Sequence, residues 1–367
     1  MTSDGLDEAV AGRLHKLRQI LGKKNLDAIL VTMMDNVRYL SGFSGSTATA
    51  VVTGTDAILL VDSRYTLQAG EECRRFEVRE FKDKAITAVC EVARSLEVEH
   101  LGFEADYLTV SEHRKLRSAL PSSVRLVGTS RIVDDLRLVK DSFEVEILRE
   151  AIKISDICFA EILGFIKPGL TEREVALQLE VCMRHHGADK AAFDTIVAAG
   201  PHAALPHAQP TDRKLERGQL LKMDYGAEYK QYPSDITRTV SLGEPDAKQR
   251  EVYQTVLDAQ LKAIAAIRPG VAGKDVDAVA REHISNAGYG DCFGHGLGHS
   301  LGRGVHDGPG LSRLSPIILE PGMVMTVEPG IYIPGWGGVR IEDDVLVTAD
   351  GCEILTAATK KLMVVGG

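Results

Sequence analysis

Four carboxylates of this chain fall in pairs at spacings that a β-hairpin would bring together. Asp224 and Asp235 are eleven residues apart, and a two-residue turn at Tyr229-Lys230 would set them directly opposite on one face of strands 220–229 and 231–240. Glu328 and Glu342 are fourteen apart, centred on Pro334-Gly335-Trp336-Gly337-Gly338, so strands 323–333 and 338–347 would again place two acids side by side. Both pairs sit in apolar sequence (Leu221-Lys222-Met223-Asp224 and Met325-Thr326-Val327-Glu328), where an unpaired ionised group is costly and a like charge opposite adds to the cost. A bound cation removes both penalties; pairing each acid with Arg238 or Arg340 is the alternative.

Histidines come next. Gly294-His295-Gly296-Leu297-Gly298-His299-Ser300-Leu301-Gly302 is too glycine-rich for a stable helix, so His295 and His299 do not form a helical zinc motif. In extended backbone both face one side, and the glycines let the chain approach a ligand closely. His306 has the opposite parity and joins them only through a bend, which Gly302 and Gly304 permit. No glycine fills the last position of G-x-G-x-x-G, which excludes a dinucleotide loop. A solitary histidine is usually a packing or surface residue; three within twelve residues, beside two dicarboxylate hairpins, read as a site. Four carboxylates and an imidazole favour Mn²⁺, with Co²⁺ or Zn²⁺ able to substitute. Five groups exceed what one ion needs and suggest two ions about 3.5–4 Å apart, the arrangement that activates water for hydrolysis.

The elements that must position these groups show a repeat. Ile166-Lys167-Pro168-Gly169 recurs as Ile267-Arg268-Pro269-Gly270 at an offset of 101, with Val175 and Gly187 matched by Val276 and Gly288. Glu216-Arg217-Gly218 recurs as Glu320-Pro321-Gly322 at 104, which also aligns Asp224 with Glu328, and Asp235 matches Glu342 at 107. Each half reads helix, Pro-Gly, helix, then a hairpin with two acids. Capping boxes at Asp141–Glu144 and Thr171–Glu174 open the first two helices, ending near 165 and at Gly187. The first 130 residues instead alternate strands (27–32, 49–53, 57–61, 100–104, 124–127) with helices (84–96, 111–120) and hold no cluster with ligand or nucleophile spacing. They read as an α/β domain, 1–130, joined by a linker, 131–141, to an α+β domain, 142–367.

The chain has 367 residues, with 43 Lys+Arg against 52 Asp+Glu. A net charge of −9 gives no electrostatic reason to bind nucleic acid or an anionic membrane. No apolar run is long enough to span a bilayer, and Met1-Thr2-Ser3-Asp4-Gly5 lacks a signal-peptide pattern. Cys73, Cys90, Cys158, Cys182, Cys292 and Cys352 form no CxxC pair, so a reduced, cytoplasmic protein without a zinc finger is expected.

Asp224-Tyr225-Gly226-Ala227, Ser234-Asp235-Ile236-Thr237-Arg238-Thr239, the 295–306 segment, Val327-Glu328-Pro329-Gly330 and Arg340-Ile341-Glu342-Asp343 resemble the creatinase/prolidase/methionine-aminopeptidase superfamily (metallopeptidase family M24). Within it the chain resembles the Xaa-Pro peptidases, aminopeptidase P and prolidase, because 36–43 and 60–65 look like their N-terminal domain; methionine aminopeptidase would leave 1–130 unexplained. The resemblance implies a creatinase-type α/β domain followed by a pita-bread catalytic domain with a pseudo-twofold αββ duplication. It implies Asp224, Asp235, His299, Glu328 and Glu342 as ligands of two divalent ions, Asp235 and Glu342 bridging, with Glu328 also the base. His207 and His306 would contact substrate and stabilise the tetrahedral intermediate, His295 would line the pocket, and Arg340 would orient Glu342. Substrates would be peptides with proline at the second position, and the assembly a homodimer.

Substrate length turns on one position. In many prolidases an arginine that clamps the substrate carboxylate lies four residues after the histidine matching His306; here that residue is Gly310, with Arg303 and Arg313 off the pattern. The sequence therefore leans towards an Xaa-Pro aminopeptidase over a dipeptidase. A metal-free creatinase-like hydrolase and a non-enzymatic binding protein of this fold are disfavoured because all five ligand positions are filled.

Overall fold

The computed structural model describes residues 3–366; Met1 and Thr2 of the stretch read for targeting, and Gly367, lie outside it. The chain divides into two compact units between Arg137 and Leu138.

In the first unit six strands, β1 (Ala28–Val31), β2 (Thr49–Thr53), β3 (Ala57–Val61), β4 (Glu77–Glu80), β5 (His100–Glu104) and β6 (Arg125–Thr129), form one mixed sheet in the order β4-β3-β2-β1-β5-β6. β1 (AILV) and β3 (AILLV) are apolar at every position, and β2 is apolar between its terminal threonines, because both faces are covered. Ile29, Val31, Val52, Leu59 and Val61 pack with Leu14, Leu17 and Leu21 of α1 (Ser3–Lys24) on one face. Leu30, Val51, Ile58 and Leu60 pack with Val89 and Val92 on the other. Besides α1 the unit contains α2 (Met34–Ser41), α3 (Thr66–Glu72), α4 (Ala85–Ser95), α5 (Val110–Ala119) and α6 (Ile132–Leu138). The sequence reading finds α4 and α5 but not α1, whose stripe Val10, Leu14, Leu17, Leu21 has helical spacing and is buried. The expected linker is largely α6: Ile132 and Val133 are buried in the first unit's core, so this stretch folds with it.

The second unit is built twice. Helices α7 (Ser142–Phe165) and α8 (Glu172–His185), both opened by capping boxes, cover a sheet of β8 (Ile196–Ala199), β9 (Leu220–Tyr225), β12 (Ile236–Leu242) and β18 (Val364–Val365). A smaller sheet joins β7 (Lys190–Ala191), β10 (Ala227–Tyr229) and β11 (Tyr232–Pro233). Ile162, Val175 and Leu179 pack on Leu221, Met223 and Val240. In the second half α9 (Ala247–Ala266) and α10 (Gly273–Asn286) cover β13 (Val324–Val327), β14 (Gly330–Ile333), β15 (Gly337–Arg340), β16 (Asp343–Val347) and β17 (Cys352–Ile354). There Val256, Val276 and Ala280 pack on Val327, Val339 and Val345. The repeat is visible in the backbone: Gly187 and Gly288 follow equivalent helices with φ of 98° and 88°, a conformation that side chains with a Cβ rarely adopt. This is the pita-bread arrangement. No helix among the described residues is long and apolar enough to cross a membrane.

Candidate metal centre

Each hairpin delivers one pair of acids, and its turn decides their geometry. In the first, the ladder pairs Asp224 with Thr237, not with Asp235. The turn is Lys230-Gln231, both left-handed with φ of 49° and 64°, one residue beyond the expected Tyr229-Lys230. Two consecutive left-handed residues are the hallmark of a type I′ turn, whose twist suits a two-residue hairpin. Moving the turn by one residue shifts the register by two. An even shift keeps parity, so Asp235 shares a face with Asp224 as its diagonal neighbour. In the second hairpin the expected register is the observed one. Val327 pairs with Asp343 and Gly330 with Arg340, and between these pairs residue 328 falls opposite 342.

The histidine segment runs extended beside β13. Thr326 N–H donates to His299 O at 2.9 Å and Glu328 N–H to Leu297 O at 2.7 Å. A Cβ at position 298 would meet Thr326 O at 1.9 Å, so only glycine allows this approach. The bend comes where expected: Gly302 N–H donates to Gly304 O, and the His306 ring returns to 4.2 Å from that of His299.

All nine residues singled out in the sequence line one cavity of about 520 Å³: Asp224, Asp235, Glu328, Glu342, His207, His295, His299, His306 and Arg340. His299 Nε2 lies 3.4 Å from Asp235 Oδ2 and 3.6 Å from Glu328 Oε1. A carboxylate oxygen each of Asp235 and Glu342 and a ring nitrogen of His299 fall within 4.8 Å of one another, close enough to share a metal ion. Arg340 pairs directly with Asp224 and reaches Glu342 only through Thr237, which accepts from Arg340 Nε at 2.9 Å and donates to Glu342 Oε2 at 2.6 Å. Arg238 is turned away, holding Asp343 at 2.7 Å and the Glu342 carbonyl.

Three further side chains complete the frame. Besides Thr237, Tyr332 OH accepts from Arg340 Nη1 at 2.7 Å and lies 2.9 Å from His295 Nε2. Lys222 Nζ donates to the Leu205 and Pro206 carbonyls at 2.7 and 3.1 Å, fixing the segment that carries His207. None of the three is a metal-ligand type, yet strand periodicity marks two: Lys222 precedes Asp224 by two residues and Thr237 follows Asp235 by two.

The electrostatics call for a cation. Burial pushes the Asp235 carboxyl well above its usual range, and the charges of Glu342 and Asp224 push it further. Burial and Glu342 raise Glu328, while burial and Asp224 raise Glu342 to about 7. Asp224 Oδ1 and Asp235 Oδ1 are buried with no hydrogen-bond partner. Orphaned carboxylate oxygens converging with an imidazole are what an oxygen-favouring divalent ion requires, so the donor set fits. Burial, then Arg340, lowers His295 to about 4, leaving it neutral at neutral pH.

Position 310 has a steric explanation. A Cβ there would meet Gly298 O at 2.3 Å, where Leu311 N–H already donates at 2.7 Å. An arginine does not fit this backbone. Arg303 is occupied by Gln231 at 2.7 Å and the Tyr232 ring at 4.8 Å, Arg313 is exposed, and neither lines the cavity. Gly310→Ala should therefore destabilise the second unit by about 1–3 kcal/mol, read as a lower Tm. An unchanged Tm would mean the loop moves aside freely.

Residues 146–349 match metallopeptidase family M24, and residues 13–139 match the creatinase/prolidase N-terminal domain. The chain is 39% identical over 353 residues to the Xaa-Pro dipeptidase of Pyrococcus furiosus, spanning 96% of this chain and 99% of the relative. Among solved structures, an Xaa-Pro dipeptidase from Bacillus anthracis matches with a TM-score of 0.94 and 41% identity, covering 97% of this chain and 100% of that one. An X-Pro aminopeptidase from Thermotoga maritima matches with a TM-score of 0.88 and 41% identity, covering 93% and 98%. With both domains matched and the acids gathered round one cavity, this chain belongs to metallopeptidase family M24, among its Xaa-Pro peptidases.

Proposed function

We propose that the protein is an Xaa-Pro dipeptidase, hydrolysing the bond between an N-terminal residue and a following proline that ends the substrate. What carries this reading is the end-to-end similarity to proteins named Xaa-Pro dipeptidase, one of them at a TM-score of 0.94. It replaces the aminopeptidase lean drawn from Gly310. A missing arginine at one position removes one way of holding a carboxylate, not every way. The lean survives as the second reading, supported by Gly310 and by the Thermotoga maritima relative named an aminopeptidase.

Asp224, Asp235, His299, Glu328 and Glu342 would hold two divalent ions, Mn²⁺ first. Bound there, the ions would polarise the scissile carbonyl and activate water at neutral pH. Glu328 takes the proton of the attacking water and passes it to the departing proline nitrogen, which must be protonated to leave. His207 and His306 donate hydrogen bonds to the carbonyl oxygen as its charge grows. Arg340, held by Tyr332, sets Asp224 directly and Glu342 through Thr237. The 1–130 and 142–367 domains serve separate ends, the first shaping a homodimeric, cytoplasmic assembly and the second carrying the chemistry.

The test is kcat/KM for Ala-Pro against Ala-Pro-Pro and longer peptides with Mn²⁺ supplied. The dipeptide should be preferred by about tenfold or more, the scale of one good charge-assisted contact. Equal or faster cleavage of the tripeptide would restore the aminopeptidase reading.

A further inference from the structure

A second group of metal-ligating side chains lies outside the acid-lined cavity and shares no residue with it. Cys182 and His186 are four residues apart at the C-terminal end of α8, one helical turn, so their side chains project from the same face. Glu161 reaches them from α7, which packs on α8. Its two oxygens are divided between them: Oε1 is 2.8 Å from His186 Nε2 and Oε2 is 3.3 Å from Cys182 Sγ. One ligand atom from each residue falls within 4.8 Å of the others.

We propose that Glu161, Cys182 and His186 form a second metal site, for a zinc-class divalent ion. Ligand atoms on a tetrahedral zinc stand about 3.5 Å apart, so small side-chain movements suffice to admit the ion. A thiolate, a carboxylate and a neutral imidazole supply two negative charges, matching a divalent cation, and the thiolate selects zinc over manganese. An ordinary surface ion pair accounts for Glu161 and His186 but not for a thiol directed at the same carboxylate. The entry path is open, since the Glu161 and His186 side chains are 56% and 26% exposed. Cys158 lies fully buried behind Cys182; burial, then the hydrogen bond to Glu161, raise the Cys182 thiol, so an incoming ion must displace its proton. Three protein ligands leave a fourth position to solvent. The ion would tie the last turn of α8 to α7, releasing the Cys182 proton as it binds.

Co²⁺ titration of the full chain provides the test, because a thiolate ligand gives cobalt a near-ultraviolet charge-transfer band and the acid-lined centre contains no thiol. The band should develop in the wild type and persist in Asp235→Asn, where the acid-lined centre is impaired. It should vanish in Cys182→Ser. Glu161→Gln and His186→Ala change partly exposed side chains and should weaken the cobalt Kd by more than the about 10–100-fold typical of losing an outer-shell partner. No thiolate band at saturating Co²⁺, a band that survives Cys182→Ser, or an unchanged Kd in both Glu161→Gln and His186→Ala would each overturn the site.

Discussion

Asp235→Asn and Glu342→Gln should lose bound metal and most peptidase activity together, while the metal-free protein becomes more stable. Both acids are buried and face other acids, so each is tolerated only when protonated or when a cation neutralises it. Removing either charge takes a ligand from the ions, and activity should fall by more than the about 10–100-fold that an outer-shell loss costs. Without metal the same change relieves repulsion and desolvation on the order of 1–3 kcal/mol. The pH dependence has a definite sign. Glu342 has a folded pKa of about 7, above the ordinary carboxylate value, so the metal-free wild type holds its full contribution at low pH and loses it as pH rises towards 7. The stabilisation by Glu342→Gln should therefore grow over that interval and be reversed by added Mn²⁺, since an ion bound only to the folded state stabilises it. Metal analysis, kcat/KM and Tm with and without chelator check the three parts. Full activity after exhaustive chelation, with no metal found, would falsify the two-metal reading.

His306→Ala and His207→Ala should lower kcat by about 10²–10³, the usual cost of losing a donor to a developing oxyanion, with metal content unchanged. Both side chains line the cavity and are exposed to it. Burial, then His299 and His207, lower the His306 pKa, which favours the neutral imidazole, whose remaining N–H is a hydrogen-bond donor. The adjacent His299 differs sharply. It stands 3.4 and 3.6 Å from two acids, and His299→Ala should lose metal. A His306→Ala protein without bound metal would instead make His306 a ligand.

The acids, the histidine segment and the duplication were legible because each is a matter of spacing along the chain. Strand parity and hairpin centring are local rules, and they put Glu328 opposite Glu342 before any packing was known. Parity also explains why the misplaced first turn did no harm: the shift was even, so Asp224 and Asp235 kept one face. The internal repeat declared the αββ duplication through its Pro-Gly and left-handed glycine positions, which backbone sterics restrict regardless of context. Tertiary structure alone decided the rest. Arg340 binds Asp224 and not Glu342 because Thr237 stands between, a contact across 103 residues. Gly310 excludes an arginine because Gly298, twelve residues earlier, approaches within 2.3 Å of where its Cβ would be. Glu161 joins Cys182 and His186 because two helices pack, and cysteines that form no CxxC motif give no warning of it. Spacing governs what one strand or one turn does with its own residues. Contacts between elements depend on packing that no local rule contains.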